Sequence, residues 1–183
     1  MFKYLFKPIF LSFFLAGCSV APHTASQTEV GKLAISLASL DKHIPKKEAL
    51  RLSRDIFGKT AALVKAFDLA SPPLYHNFLV NVGLRKKGLC YHWSDALYLY
   101  FSEKEYPHFS FHLAGANIGE YFFEHNAMVV TAKGGSVEEG IVIDPWRHSG
   151  RLYFSKVKDD KKYRWMHRPE RGCCRKGMIQ KGK

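Results

Sequence analysis

Apolar residues recur at helical spacing between Val30 and Leu69, first as Leu33, Leu37 and Leu40 and then as Leu50, Ile56, Ala61, Val64 and Phe67. Such spacing collects side chains on one face of an α-helix, so two amphipathic helices are expected, with Pro45 at the junction opening the second from its first turn. Pro72-Pro73 ends the second helix, and Leu74 to Leu84 follows with Tyr75, Phe78 and Val82 at mixed spacing. Arg85-Lys86-Lys87-Gly88 reads as an exposed turn. From Leu89 the helical stripe returns through Cys90, Trp93, Leu97, Tyr100 and Phe101. After Pro107 the period falls to two, with Phe109, Phe111 and Leu113 alternating with His108, Ser110 and His112, as in a half-buried strand. Ala127 to Ala132 and Gly140 to Asp144 flank Gly134-Gly135-Ser136, which predicts a hairpin, and Leu152-Tyr153-Phe154 reads as a further strand. Helices first and strands afterwards predict an α+β domain, its helices packed on an antiparallel sheet.

The first residues depart from this pattern. Lys3 and Lys7 precede the apolar run Ile9 to Leu15, which is far shorter than the ~20 residues of a spanning helix and reads as a targeting segment. It ends in Leu15-Ala16-Gly17-Cys18, which resembles the bacterial lipoprotein box. The resemblance implies that Cys18 is acylated, becomes the first residue of the mature chain and anchors it to a lipid membrane. Ser19 in place of aspartate implies sorting to the outer membrane, facing the periplasm. Residues 18–28 are small and polar and read as a flexible tether. The expected division is a signal at 1–17, the tether at 18–28, one α+β domain at 29–155 and a basic extension at 156–183.

The 183 residues are 46% apolar and 24% charged, which excludes a disordered or collagen-like chain. A net charge of +12 raises the question of a polyanionic partner, but the excess is unevenly spread. Residues 1–17 carry two cations and no acid, residues 18–155 carry 15 cations and 13 acids, and residues 156–183 carry 11 cations and three acids. The domain is therefore nearly neutral, and no nucleic-acid motif is present. The terminal extension is expected to be solvated or to contact anionic envelope lipid, each cation contributing about 1 kcal/mol near such a surface.

Four cysteines, at 18, 90, 173 and 174, are too few for a disulfide scaffold. Cys173-Cys174 has no assigned role beyond an intermolecular disulfide in an oxidising envelope. Cys90 stands at the expected start of a helix, where the dipole and a neighbouring imidazolium favour the thiolate. Gly88 would allow a substrate or another backbone to approach the thiol closely. His125 and Asp144 lie on the two arms of the expected hairpin. Opposed residues in an antiparallel pair have a constant index sum, here about 269 to 271 for a turn centred near residue 135. A sum of 269 sets His125 opposite Asp144, 271 makes them diagonal neighbours on one face, and 270 separates them.

A Gly-x-Cys before a helix, a histidine 35 residues on and an Asp-Pro another 19 residues further resemble the transglutaminase-like branch of the papain-like superfamily. The resemblance covers residues 75–155 and implies a Cys90 nucleophile, a His125 general base and an Asp144 that orients it. It implies acyl transfer on peptide or isopeptide amides, with envelope proteins or peptidoglycan stem peptides as accessible substrates, and no cofactor. The Cys90 N–H and the side chain of Asn77 or Asn81 are candidate oxyanion donors. His112 and Trp146 are candidates for the cleft, Asn126 carries no assigned role, and His92 is expected to point away as a structural residue. The run His76-Asn77-Phe78-Leu79-Val80-Asn81 also resembles a segment of uncharacterised bacterial proteins. A metal site from His108 and His112 with His125 or Asp144 has no recognised zinc spacing behind it, so no metal is expected. The alternative to an enzyme is a lipoprotein that binds a partner or anionic polymer through the same cleft and the basic tail.

Overall fold

The computed structural model describes residues 19–120 and 122–168. The signal segment with Cys18 and the terminal Cys173-Cys174 therefore lie outside the described residues. Helix α1 (Gln27–Ala38) opens on a capping box, in which Ser26 Oγ accepts from Glu29 N–H at 3.2 Å and the Glu29 carboxylate accepts from Ser26 N–H at 2.9 Å. Its inward stripe is Val30, Leu33 and Leu37. Helix α2 (Lys46–Ala66) starts directly after Pro45 and buries Leu52, Ile56, Leu63 and Val64 against that stripe. Helix α3 (Pro73–Asn81) follows, then α4 (Cys90–Ser102), whose Trp93, Leu97 and Phe101 are fully buried.

The strands β1 (Phe109–Ala116), β2 (His125–Ala132), β3 (Ile141–His148), β4 (Arg151–Lys156) and β5 (Met166–His167) form one antiparallel sheet in the order β4-β3-β2-β1-β5. The expected α+β class and antiparallel sheet are observed. Both faces of the centre of β2 are covered, so its residues are apolar without alternation. Met128 and Val130 face the helical core, while Ala127 and Val129 join a second cluster with Val142, Val157 and Trp165. Among the described residues no helix is long and apolar enough to cross a membrane.

Two boundaries differ from expectation, and one irregular spacing finds its cause. Residues 19–28 are not a free tether: Ser19 bridges to Ala70, Val20 N–H donates to Leu69 O at 2.8 Å, and Val20 and Ala25 pack on the core. Residues 156–168 are not a solvated extension, because Val157, Asp160 and Trp165 are buried and β5 completes the sheet edge. Their charge excess hid this, since the lysines point outward around a few inward residues. The mixed spacing of Leu74 to Leu84 arises because α3 carries apolar residues on both faces, burying His76 and Leu79 and exposing Leu74, Phe78 and Val82.

Candidate active site

The helix that presents Cys90 is built without the usual oxygen-bearing cap. Leu89 is extended (φ −64°, ψ 157°), and the role of acceptor passes to His92, whose Nδ1 takes the N–H groups of Gly88 at 3.1 Å and Leu89 at 3.2 Å. The structural role expected for His92 is thus a cap. The Cys90 N–H lies in the first turn, where no intrahelical acceptor exists, and the helix directs its positive end towards the same point. The sulfur thus stands at the positive end of the helix, with the Glu124 carbonyl 4.0 Å away.

Gly88 has φ +126°, and a Cβ there would overlap His76 Nε2. Its lack of a side chain makes room for that histidine, a close approach by a side chain of the protein itself. His76 is fully buried, accepts from Ala70 N–H on Nδ1 at 3.0 Å and donates from Nε2 to Lys87 O at 2.9 Å. Trp93 Nε1 adds a bond to Gly88 O at 3.1 Å. Those bonds pin the chain on both sides of the turn that precedes Cys90.

Strands β2 and β3 pair with an index sum of 271, seen in Met128 opposite Ile143 and Val130 opposite Ile141. Asp144 is thus a diagonal neighbour of His125 on the same face, and His125 Nε2 meets Asp144 Oδ2 at 2.7 Å with both side chains almost wholly buried. Cys90 also lies close enough to act on the His125 ring. With Nε2 engaged by Asp144, Nδ1 is the nitrogen left for the sulfur. Burial alone would depress the imidazole, but its interactions with Asp144 and Cys90 outweigh that and raise its pKa to about 9. Burial likewise pushes the Asp144 carboxyl up, while His125 and Arg147 together hold it below the usual range. The three expected residues are brought together.

The surrounding groups were harder to foresee. Asn126, next to His125, directs Nδ2 to within 3.8 Å of the Cys90 sulfur and 3.3 Å of Glu124 Oε1, while its buried Oδ1 has no hydrogen-bond partner among the described residues. Asn77 is not directed at the thiol: its Oδ1 accepts from Trp146 Nε1 at 3.0 Å, and that indole lies 4.7 Å from the His125 ring. Trp146 therefore does line the site, and Asn77 steadies it. Asn81 is exposed in the last turn of α3. His112 is not a neighbour of Cys90, His125 or Asp144: it pairs with Val129, mid-strand, bonds Thr131 Oγ1 at 3.0 Å and faces His167. His108 meets Glu48 at 2.6 Å, beside the end of β1 that pairs with Ala132, the opposite end of β2 from His125.

Behind Asp144 the network continues. Arg147 donates from Nε to Asp144 Oδ2 at 2.9 Å and from Nη2 to Asp160 Oδ2 at 2.6 Å, and Trp165 Nε1 reaches Asp160 Oδ2 at 2.8 Å. Its guanidinium is sandwiched by Tyr153 at 3.7 Å and Tyr163 at 4.9 Å, and Tyr163 lies 4.6 Å from the His125 ring. The spacing Asp144-x-x-Arg147 was a legible hint, whereas Asp160, Tyr163 and Trp165 were hidden in the lysine-rich stretch. The assembly can take a proton from a thiol, retain it on a supported imidazole and offer donors to a developing oxyanion. Compared with models of known families, with curated proteins and with solved structures, the chain gives no match, so the site is interpreted from its own geometry.

Proposed function

We propose that the protein is a cysteine-dependent acyl-transfer enzyme, related to the transglutaminase-like branch of papain-like proteins, acting as a hydrolase or acyltransferase on peptide or isopeptide amides. The observation that carries the proposal is the convergence of a helix-heading Cys90 with His125 and its buried Asp144 partner. Cys90 gives its proton to His125 Nδ1, and the thiolate attacks the amide carbonyl to form a tetrahedral oxyanion. The Cys90 N–H and Asn126 Nδ2 are the donors that face this oxyanion. Collapse expels the amine, which takes the proton from His125, and leaves a thioester. Water or a second amine, deprotonated by His125, resolves the thioester and regenerates the thiol. Asp144 holds the imidazole in the tautomer that keeps Nδ1 free, and Arg147 holds Asp144.

The same proposal places the chain in the bacterial envelope, joined to lipid through Cys18, with envelope proteins or peptidoglycan stem peptides within reach. The test is modification by iodoacetamide near neutral pH, followed site by site by peptide mass mapping so that Cys90 is separated from the other thiols. Cys90 is expected to react fastest, and His125→Ala is expected to slow it by at least tenfold. Equal rates at Cys90 in both proteins, with ordinary thiol behaviour, would overturn the enzyme and favour a binding role for the cleft.

A further inference from the structure

Helix α3 presents its apolar residues in the unusual direction. Opposite the buried His76 and Leu79 stand Leu74, Phe78 and Val82, exposed at 72%, 55% and 51%. Leu84, at 63%, carries the stripe past the helix end. A surface helix ordinarily turns polar side chains to this side. The adjoining turn adds Lys86 and Lys87, both exposed, beside an Arg85 held by Asp68 at 3.0 Å. No acidic residue occurs from Leu69 to Ser94. An exposed apolar stripe bordered by lysines has the composition of a surface seated at a membrane interface, apolar groups at the acyl boundary and cations on headgroup phosphates.

The start of the described chain supplies the second observation. Ser19 pairs with Ala70, three residues before Pro73 opens α3. Cys18 is joined to Ser19 by a single peptide unit, about 3.8 Å between Cα atoms. A lipid on Cys18 would thus join the domain with almost no free spacer, beside the helix that carries the exposed stripe. We infer that the outward face of α3 docks on an anionic lipid bilayer next to the acylated Cys18, holding the Cys90 site at the membrane surface. This inference rests on the lipid-anchored reading of Cys18 proposed above. Docking reaches the chemistry through Asn77, which lies on α3 and holds Trp146 against His125.

The test uses the full chain, purified from the membrane fraction in detergent and returned to vesicles of phosphatidylethanolamine and phosphatidylglycerol in equal parts, with bromine on the acyl chains. Phe78→Trp reports the α3 face, Ile35→Trp reports an equally apolar exposed position on α1, and the unsubstituted chain supplies the background of the native tryptophans. Added fluorescence from Phe78→Trp is expected to be at least halved by the brominated chains, and that from Ile35→Trp to be unchanged. Replacing Lys86 and Lys87 by Gln is expected to weaken the quenching. Equal quenching at both positions, none at Phe78→Trp, or shielding of Phe78→Trp by self-association without vesicles would overturn the docking face. Intact mass reports acylation separately. An acylated chain without quenching overturns docking and leaves the anchor standing, whereas quenching of an unacylated chain supports docking and overturns the anchor.

Discussion

Asn126 is committed to a costly arrangement. Its side chain is buried, Nδ2 is divided between Glu124 and the Cys90 sulfur, and Oδ1 has no partner among the described residues. A buried acceptor left unpaired costs roughly 1–3 kcal/mol, so a position with no chemical use would favour a simpler side chain. As an oxyanion donor, Asn126 is expected to matter for turnover and not for thiol activation. With p-nitrophenyl acetate as acyl donor, Asn126→Ala should lower the acylation rate by about 10²-fold while leaving iodoacetamide modification of Cys90 within severalfold of the parent. Loss of both to the same extent would assign Asn126 to packing. His125 makes a separate prediction. Because its pKa is raised to about 9 from an ordinary 6.5, the fold favours the imidazolium. That stabilisation is fully present below pH 6.5 and disappears as pH rises through about 9, so the thermal midpoint should fall over this window. Asp144→Asn removes the larger bonding contribution and should flatten the fall; parallel curves for the two proteins would contradict the coupling. At this scale Cys90, His125 and Asp144 were legible because a cysteine at a helix start and two polar residues on the arms of one hairpin stand out from apolar surroundings. Asn126 was not, since its use depends on where the start of α4 crosses the start of β2.

The elements were mostly readable from periodicity, and the departures have physical causes. The β2–β3 register was confined to three values by the length of the connection, and the pairing adopted is the one that makes His125 and Asp144 diagonal neighbours. Periodicity could not choose among them, because β2 is apolar on both faces and a one-residue slip leaves the pattern almost unchanged. The start of α4 was placed correctly, but its mechanism was not visible: a histidine two positions after Cys90 supplies the cap, and a second histidine from α3 occupies the space over Gly88. Gly88→Ala tests this construction. The added methyl meets the buried His76 ring, and the backbone at φ +126° disfavours any side chain, so a destabilisation of roughly 3 kcal/mol is expected in denaturant unfolding. Cys90 modification should slow as well, since the turn that aims the helix must move. A neutral substitution would mean that His76 can withdraw without disturbing α4.

Over the whole molecule, the segment from Val157 to Arg168 decides how the domain ends. Composition marked it as tail, yet it covers the second face of the sheet with Val157 and Trp165 and supplies Asp160 to Arg147. A chain ending at Lys156 is therefore expected to be insoluble or to unfold well below the parent, whereas one ending at Arg168 should keep the cooperative unfolding transition of the full chain. Equal stability of the two would show that the segment is dispensable. Removing only the guanidinium, in Arg147→Met, leaves two buried carboxylates facing each other and should cost about 3–5 kcal/mol, read from denaturant midpoints. Charge counting along this chain of contacts gives it a further meaning. Along the contacts stand Asp160, Arg147, Asp144 and His125, alternating in sign once His125 is protonated. With His125 neutral the array carries one uncompensated negative charge, and protonation of His125 cancels it. A proton on His125 completes a neutral, alternating array, so the segment that closes the second face of the sheet also supplies, through Asp160 and Arg147, the far end of the support on which the imidazolium rests.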